Sequence, residues 1–232
     1  MKKHRFFLKE NLTGPKINSQ DQELINQLLN VLRLKTGDTV FLFDGLGDEI
    51  LAEITSLNRQ LVIFHKIEKV VKTISKKRTV VLYCAILKKE NFEIVVQKAT
   101  EIGVQAIVPI ITDRTVKFGL KGDRLTKIIK EASEQSGRTI EAKLEKTLKF
   151  AEAVNKASTS NEINLIFDQS GKKIGKLKSG RIGIFVGPEG GWTKDELALA
   201  QKAGLAVGLL GDLTLRAETA GIVASFEAVN NL

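Results

Sequence analysis

The first part of the chain alternates short apolar runs with polar turns that contain glycine. Residues 40–43, 49–54 and 61–67 have the length and the β-branched and aromatic content of strands. The segment at 44–48, with two glycines and two aspartates, is typical of a turn. Closely spaced strands with polar turns favour a small barrel, and one helix near 20–32 precedes them.

Beyond a basic stretch at 66–78, apolar strands alternate with helices. We predict strands at 79–86, 104–111, 163–168, 181–186 and 206–210, and helices at 90–102, 123–136, 147–158, 193–203 and 217–230. Strands that are apolar almost throughout fit a parallel sheet covered on both faces, so this part is α/β. A boundary near Thr73 gives two domains, 1–72 and 73–232.

Two apolar runs in the last quarter each end in a loop that contains glycine and opens a helix. The first loop is 187–191, and the second segment is 210–220. Loops at the carboxyl ends of neighbouring parallel strands form ligand sites, so we expect these two to meet if their strands are neighbours. For the first loop the alternative is a plain turn into a helix capped by Thr193. For the second segment the alternative is an ordinary ion pair between Arg216 and Glu218.

Composition narrows the class of protein. The 232 residues carry a net charge of +9, and 43% are hydrophobic, which excludes a disordered chain. A diffuse basic excess favours a polyanionic partner, although an ordinary basic protein fits equally well. Cys84 is the only cysteine and lies in an apolar run, so we expect a buried side chain and no disulfide. Because His4 and His65 are far apart in sequence, we expect no metal site. No segment reaches transmembrane length, so we expect a cytoplasmic protein without a membrane partner.

Taken together, the polar segments are similar to the bacterial 16S ribosomal RNA uridine-N3 methyltransferases of the SPOUT class. The matching pieces, in chain order, are 4–7, 31–38, 43–45, 97–104, 131–138, 187–191 and 210–220. The chain departs from the family's pattern at Leu213, where arginine is common, and at Ala217, where threonine is common. A histidine that often precedes the 31–34 motif is also absent, and Asn26 and Gln27 lie there instead.

The resemblance implies an α/β fold with a C-terminal SPOUT-type parallel sheet and a deep trefoil knot, together with a PUA-like N-terminal β-barrel that binds RNA. It implies S-adenosylmethionine as the methyl donor, held between the two loops. It also implies a homodimer with the active site near its interface. The expected reaction is methylation of uridine N3 in 16S ribosomal RNA, either free or in the small ribosomal subunit.

The same resemblance assigns residues. Arg216 is expected to stabilise negative charge on the uracil oxygens, and Glu218 or a water to accept the N3 proton. The expected cofactor-binding residues are Gly187, Pro188, Glu189, Gly190, Gly191, Leu210, Gly211, Leu215 and Thr219. The expected RNA-binding residues are Arg5, Arg33, Lys35, Lys88, Lys89, Arg114 and Arg138. The same chemistry on another RNA, or a non-catalytic RNA-binding protein, remain the alternatives.

Overall fold

A computed structural model of the protein describes residues 4–70, 78–88, 90–116, 119–178 and 180–230. The chain divides into two compact units. Unit 1 comprises Met1–Ile74 and Ser133–Glu141, and unit 2 comprises Ser75–Ala132 and Ala142–Leu232. The predicted domain boundary between 72 and 73 lies outside the described residues. Segment 133–141, which lies in the predicted second domain, is grouped with unit 1.

Unit 1 is built on a five-stranded sheet. Its elements are β1 (Arg5–Phe7), β2 (Lys16–Ser19), α1 (Gln22–Asn26), a π-helical turn (Gln27–Val31), β3 (Thr39–Phe43), β4 (Glu49–Leu57) and β5 (Val62–Lys69). The strand order is β1-β3-β4-β5-β2, and two register shifts between β4 and β5 increase the local twist. Among the described residues β1 and β2 do not pair, so the sheet is a half-barrel rather than a closed one.

The helix predicted at 20–32 is shorter than expected. It begins at Asp21, whose side chain accepts hydrogen bonds from the backbone N–H groups of Glu23 and Leu24 at 2.9 and 3.3 Å. After five residues the α-helix gives way to the π-helical turn, which buries Leu28 against the sheet. The apolar spacing indicated the helix correctly but did not indicate this change of pitch.

A buried polar cluster attaches segment 133–141 to the sheet of unit 1. Arg5 contacts Glu49 through Nη1 and Oε1 at 2.7 Å and donates from Nη2 to the carbonyl oxygen of Arg138 at 3.2 Å. Arg138 in turn donates from Nε to the carbonyl oxygen of Ile140 at 2.8 Å. Because two arginines are enclosed with these acceptors, the segment is held as an integral part of the unit.

The same cluster contains two side chains that were expected to contact RNA. Arg138 is only 8% exposed, and burial lowers its pKa to about 10 despite the opposing effect of Glu141. Burial also lowers the pKa of Arg5, and the carboxylate of Glu49 partly offsets this. Arg138 is buried and Arg5 is partly buried, and both donate to acceptors within unit 1, so contact of these side chains with RNA stays a prediction.

Unit 2 contains a seven-stranded sheet in which every pairing is parallel. Its elements are β6 (Arg78–Ala85), α2 (Asn91–Ile102), β7 (Ala106–Ile111), α3 (Gly122–Ser136, ending in unit 1), β8 (Lys143–Leu144), β9 (Leu148–Lys149), α4 (Phe150–Ser160), β10 (Ile163–Lys173), β11 (Gly180–Val186), α5 (Lys194–Lys202), β12 (Ala206–Leu209) and α6 (Ala217–Asn230). The strand order is β12-β10-β11-β6-β7-β8, and β9 also pairs with β7.

Helices cover both faces of this sheet. One core includes side chains of α2, α3 and α6, such as Phe92, and the other includes side chains of α4 and α5, such as Phe150. Two-sided burial explains why the strands are apolar almost throughout, and the predicted α/β class is confirmed. The predicted Thr193 cap is confirmed as well, because its hydroxyl accepts from the Glu196 N–H at 3.2 Å. The trefoil knot stays a prediction.

Helices α2 and α6 approach closely at Gly221. A Cβ on Gly221 would lie 3.0 Å from Cγ1 of Val95, which is fully buried. We expect Gly221→Leu to overpack this contact and to lower the free energy of unfolding by about 1–3 kcal/mol, measured by chemical denaturation. Gly122→Leu is the matched control, because a Cβ there meets no atom within 4 Å. Equal losses in the two variants would contradict the prediction.

Candidate active site

A cleft of about 660 Å³ opens at the carboxyl ends of β11 and β12 in unit 2. Strand β10 lies between β11 and β12, and it lines the cleft with Phe167, Asp168 and Gln169, where its register with β12 shifts. The two loops therefore share one cleft although their strands are not neighbours. The middle of β10 fills the space between them, and the volume is in the range of small-molecule sites.

The middle of β10 is hydrogen-bonded to Trp192, which follows the first loop, and to the second loop. Trp192, just after the first loop, donates from Nε1 to the carbonyl oxygen of Phe167 at 2.9 Å. Gln169 donates from Nε2 to the carbonyl oxygen of Leu213 in the second loop at 3.3 Å. A Cβ at Gly187 would lie 3.1 Å from the Trp192 ring, so a residue without a side chain fits best there. These contacts fix the width of the cleft.

Two carboxylates of the cleft accept hydrogen bonds from the segment after β6. Glu189 Oε1 accepts from the backbone N–H of Lys88 at 2.9 Å, and Glu218 Oε2 accepts from Asn91 Nδ2 at 3.3 Å. Glu189 was expected to bind the cofactor. One of its carboxylate oxygens fastens the first loop to the chain near the start of α2.

Arg216 has a fixed backbone and an exposed side chain. Its carbonyl oxygen accepts from the N–H of Ala220 at 2.8 Å, which starts α6. Within the part of the chain that the structure describes, its guanidinium makes no hydrogen bond and no ion pair, including with Glu218. The alternative of a plain Arg216–Glu218 ion pair is therefore not observed, and all the guanidinium donors of Arg216 are available at the rim of the cleft.

A second set of contacts holds the first loop from the side of β7. Arg114 donates from Nη1 to the carbonyl oxygen of Gly190 at 2.6 Å. The nearly buried Glu196 accepts from the backbone N–H groups of Asp113 and Thr193, at 3.0 and 2.8 Å. Arg114 was expected to contact RNA, whereas its observed partner is the glycine loop.

Comparison with known proteins agrees with this geometry. A family model described as an RNA methyltransferase domain matches residues 74–227, and one described as an RNA methyltransferase PUA domain matches 23–67. The chain is 32% identical to ribosomal RNA small subunit methyltransferase E of Rickettsia conorii, over 97% of this chain and 94% of that protein. The chain belongs to the ribosomal RNA small subunit methyltransferase E family.

Solved structures extend the comparison with this family. The chain is similar to ribosomal RNA small subunit methyltransferase E from Neisseria gonorrhoeae, solved bound to S-adenosyl methionine, with a TM-score of 0.88 and 31% identity over 97% of each chain. It is also similar to a protein from Legionella pneumophila solved in complex with the bound cofactor SAM, with a TM-score of 0.88 and 26% identity over 98% of each chain. The predicted class, an RNA methyltransferase, is confirmed by the family.

Most of the residues predicted for this methyltransferase site lie around the cleft. The predicted residues that line it are Gly187, Pro188, Glu189, Gly191, Leu210, Leu215, Arg216, Glu218 and Lys88. Gly190, Gly211 and Thr219 are not part of the lining. In unit 1, Arg33 and Lys35 are exposed, and Lys89 lies outside the described residues.

The prediction missed the middle of β10 and the aromatic side chains of the cleft. The additional lining residues outside the two predicted segments are Phe167, Asp168, Gln169, Trp192 and Asn91. Part of the signal was present, because the predicted strand 163–168 ends at Asp168, and ligand sites form at the carboxyl ends of parallel strands. Trp192 could not be placed without the packing of the loop.

The described residues contain no group of three or more histidine, cysteine, aspartate or glutamate side chains placed to hold a metal ion. Over the same ranges, every helix is too short or too polar to span a bilayer.

Cys84 lies below this site and is expected to be unreactive in the folded protein. Burial, with a further contribution from the negative charge of Glu189, raises the pKa of the Cys84 thiol to about 12. We expect no reaction with a disulfide reagent at pH 8 in the native protein and one thiol per chain after denaturation, measured by absorbance. Prompt labelling of the native protein would contradict the observed burial.

Proposed function

We propose that the protein transfers a methyl group from S-adenosylmethionine to N3 of a uridine in 16S ribosomal RNA. The observation that carries the proposal is the cleft formed by the middle of β10 and the ends of β11 and β12, with the Arg216 guanidinium at its rim unpaired among the described residues. The cofactor follows from relatives that hold it and match 97 and 98% of this chain. The choice of 16S ribosomal RNA as substrate follows from the family's name. A ribosomal RNA substrate implies that the protein acts in the cytoplasm, where ribosomes are assembled.

The residues of the cleft fit this donor. Apolar and aromatic side chains provide walls for an adenine ring, namely Phe167, Trp192, Leu209, Leu210 and Leu215. Three carboxylates, from Asp168, Glu189 and Glu218, favour a positively charged group. Gly187 and Gly191 leave main-chain atoms of the loop accessible to a bound molecule.

When bound, S-adenosylmethionine supplies a methyl group activated by a sulfonium, so the chain mainly has to position the acceptor. The Arg216 guanidinium stabilises the negative charge that develops on the uracil oxygens as N3 loses its proton. Oε1 of Glu218, which has no hydrogen-bond partner among the described residues, accepts that proton. Because N3 lies on the Watson–Crick edge, the uridine must be unpaired or flipped out.

Unit 1 provides a second contact with RNA. Arg33 is exposed and has a φ of +54°, a left-handed conformation that is uncommon for a residue with a side chain. Such conformations are found preferentially at functional positions. Lys35 is also exposed, and its backbone N–H is fixed by Asp38 Oδ2 at 2.6 Å. We assign RNA contacts to these two side chains.

A homodimer is part of the proposal. Helix α6 presents Phe226, which is 52% exposed, and the half-buried Ile222 and Val223. Leu213 in the second loop is 80% exposed. Apolar side chains that are exposed on a helix and on the adjoining loop support a contact with a second copy close to the cleft.

Arg216→Ala is expected to abolish methylation while leaving donor binding intact, because the side chain acts on the uracil rather than on the donor. The measurement is mass spectrometry of 16S ribosomal RNA after reaction with the purified protein. Arg124→Ala is the control, since Arg124 is exposed and pairs with Glu93 at 2.7 Å. Normal turnover by the Arg216 variant would exclude this role, and methylation of transfer RNA alone would exclude the substrate.

Gly187→Val is expected to weaken S-adenosylmethionine binding by at least about tenfold, because a side chain there collides with the rigid Trp192 ring at the cleft wall. Gly122→Val is the matched control, because a Cβ there meets no atom within 4 Å and Gly122 is outside the lining. Calorimetric titration measures both affinities, and equal effects would argue against the location proposed for the donor.

A further inference from the structure

Helices α2 and α6 run side by side, with their first turns at the cleft. A Cβ on Gly221 of α6 would lie 3.0 Å from the Val95 side chain of α2. Towards the other end of the pair, a Cβ on Gly103 would lie 3.6 Å from Cγ1 of Val229. Because the two contacts follow in the same order along both helices, the helices are parallel and their N-termini lie together.

The side chains of Asn91 and Glu218 connect these two first turns. Asn91 is the first residue of α2, Glu218 is the second residue of α6, and both line the cleft. Asn91 Nδ2 donates to Glu218 Oε2 at 3.3 Å. A carboxylate oxygen only accepts, so the amide nitrogen is the atom that faces it. The amide thus holds one oxygen of Glu218, and the other, Oε1, has no hydrogen-bond partner among the described residues.

The backbone beneath this contact is fixed on both sides. Phe92, which follows Asn91, and Ala217, which precedes Glu218, are buried in the same core. The backbone N–H of Asn91 also donates to the carbonyl oxygen of Lys88 at 3.2 Å. Lys88 is itself bonded through its N–H to the first loop. The core and the turn before α2 therefore set where the Asn91 amide and the Glu218 carboxylate meet.

The partner of Glu218 is a neutral amide, whereas two carboxylates of α2 pair with cations. Glu93 pairs with Arg124 at 2.7 Å, and Glu101 pairs with Lys98 at 2.8 Å. A cation strongly stabilises the negative charge of a carboxylate and thereby makes it a weaker base. A neutral amide fixes the orientation of a carboxylate with a smaller loss of basicity. Glu218 therefore has the kind of partner that suits a carboxylate whose task is to take up a proton.

We propose that Asn91 is a positioning residue for methyl transfer, which holds Glu218 so that Oε1 is available to uridine N3. This proposal rests on the proposed function. In that reaction N3 gives its proton to Oε1 and forms a bond to the methyl carbon, whose bond to sulfur breaks and leaves its electron pair on sulfur. Without the Asn91 amide the carboxylate is free to rotate, so a smaller fraction of bound substrate has Oε1 in a productive position.

The first test is Asn91→Ala in the full chain. We expect kcat for methylation of 16S ribosomal RNA to fall on the order of tenfold, while the affinity for S-adenosylmethionine changes by less than about twofold. Methyl incorporation at saturating RNA and donor measures kcat, and calorimetric titration measures donor affinity. Asn155→Ala is the matched control, because Asn155 is exposed on α4, across the sheet from α2.

Three results of this test would overturn the role of Asn91. They are an unchanged kcat in Asn91→Ala, an equal fall in Asn155→Ala, and a loss of donor binding in Asn91→Ala. The last result would show that the side chain only supports the shape of the cleft.

A double-mutant cycle tests whether Asn91 acts through Glu218. If it does, Asn91→Ala should lower kcat by less than about twofold when Glu218→Gln is already present. Single-turnover methylation with a labelled donor measures these slower rates. An equal loss in both backgrounds would mean that Asn91 acts independently of Glu218, which contradicts the proposal.

The charged groups around Glu218 belong to several elements. Those that line the cleft with it are Lys88, Asp168, Glu189 and Arg216. Those on or next to the elements packed against α6 are Glu90, Glu93, Lys98 and Glu101 at α2, Arg78 of β6 and Arg181 of β11. A change from amide to carboxylate at Asn91 leaves all of these groups in place and adds one negative charge beside Glu218.

Asn91→Asp is therefore expected to move the rising part of the pH–rate profile to higher pH by about one unit, because a like charge opposes ionisation of Glu218. Asn155→Asp adds the same charge on α4 and should leave the profile unchanged. If the profile of Asn91→Asp coincides with that of the unaltered protein, the proposal is overturned.

The results separate this proposal from the function on which it rests. No methylation by the unaltered protein would overturn the function itself. Full activity of Glu218→Gln would overturn the assignment of the proton acceptor, and the role of Asn91 with it, while methylation by the unaltered protein would still support the function.

Discussion

The position of β10 between β11 and β12 is the constraint on which the candidate site depends. Parallel strands end at the same edge of the sheet, but the two glycine-containing loops are a full strand apart. Residues in the middle of β10 bridge that distance: the carbonyl oxygen of Phe167 accepts from Trp192 beside the first loop, and Gln169 donates to the second loop. All three strands are therefore needed to form the cleft, and neither loop could form it alone.

Around this cleft, the backbone of the first loop is held by hydrogen bonds, whereas the side chain of Arg216 remains exposed. The first loop is fastened by Lys88, which follows β6, and by Arg114, which follows β7, and the adjoining Trp192 is bonded to Phe167 of β10. Arg216 is different, because only its backbone is engaged. A methyl donor requires a fixed pocket, while an incoming base requires side chains that are not already neutralised. Both requirements are satisfied here, because hydrogen bonds hold the backbone at the rim of the cleft while the Arg216 side chain is unpaired among the described residues.

The sequence predicted the long elements well and the short ones poorly. Apolar runs and capping residues located five strands and five helices of unit 2, because burial on both faces leaves a strong pattern. The exception in length is β10, which continues five residues past its predicted end at 168, through a polar stretch where its register with β12 shifts. Strands β1 and β2, with three and four residues, were missed, since partner strands rather than their own composition define them. The partners of Arg5 and Arg138 could not be predicted, for a related reason. A sequence shows which residues are charged but not which acceptors they meet. The acceptors of Arg5, on Glu49 and Arg138, lie far away along the chain, and Arg138 itself donates to the carbonyl oxygen of Ile140, two residues away.

Unit 1 is discontinuous along the chain, because segment 133–141 belongs to it and is flanked on both sides by unit 2. The chain therefore passes from one unit to the other three times. Exchange of the N-terminal part between homologous proteins would separate Arg5 and Glu49 from the segment whose carbonyl oxygen Arg5 binds. Recombination would preserve these contacts only if the N-terminal part and segment 133–141 were transferred together. The two units are consequently expected to have been inherited as one gene segment, unlike modules that are shuffled freely.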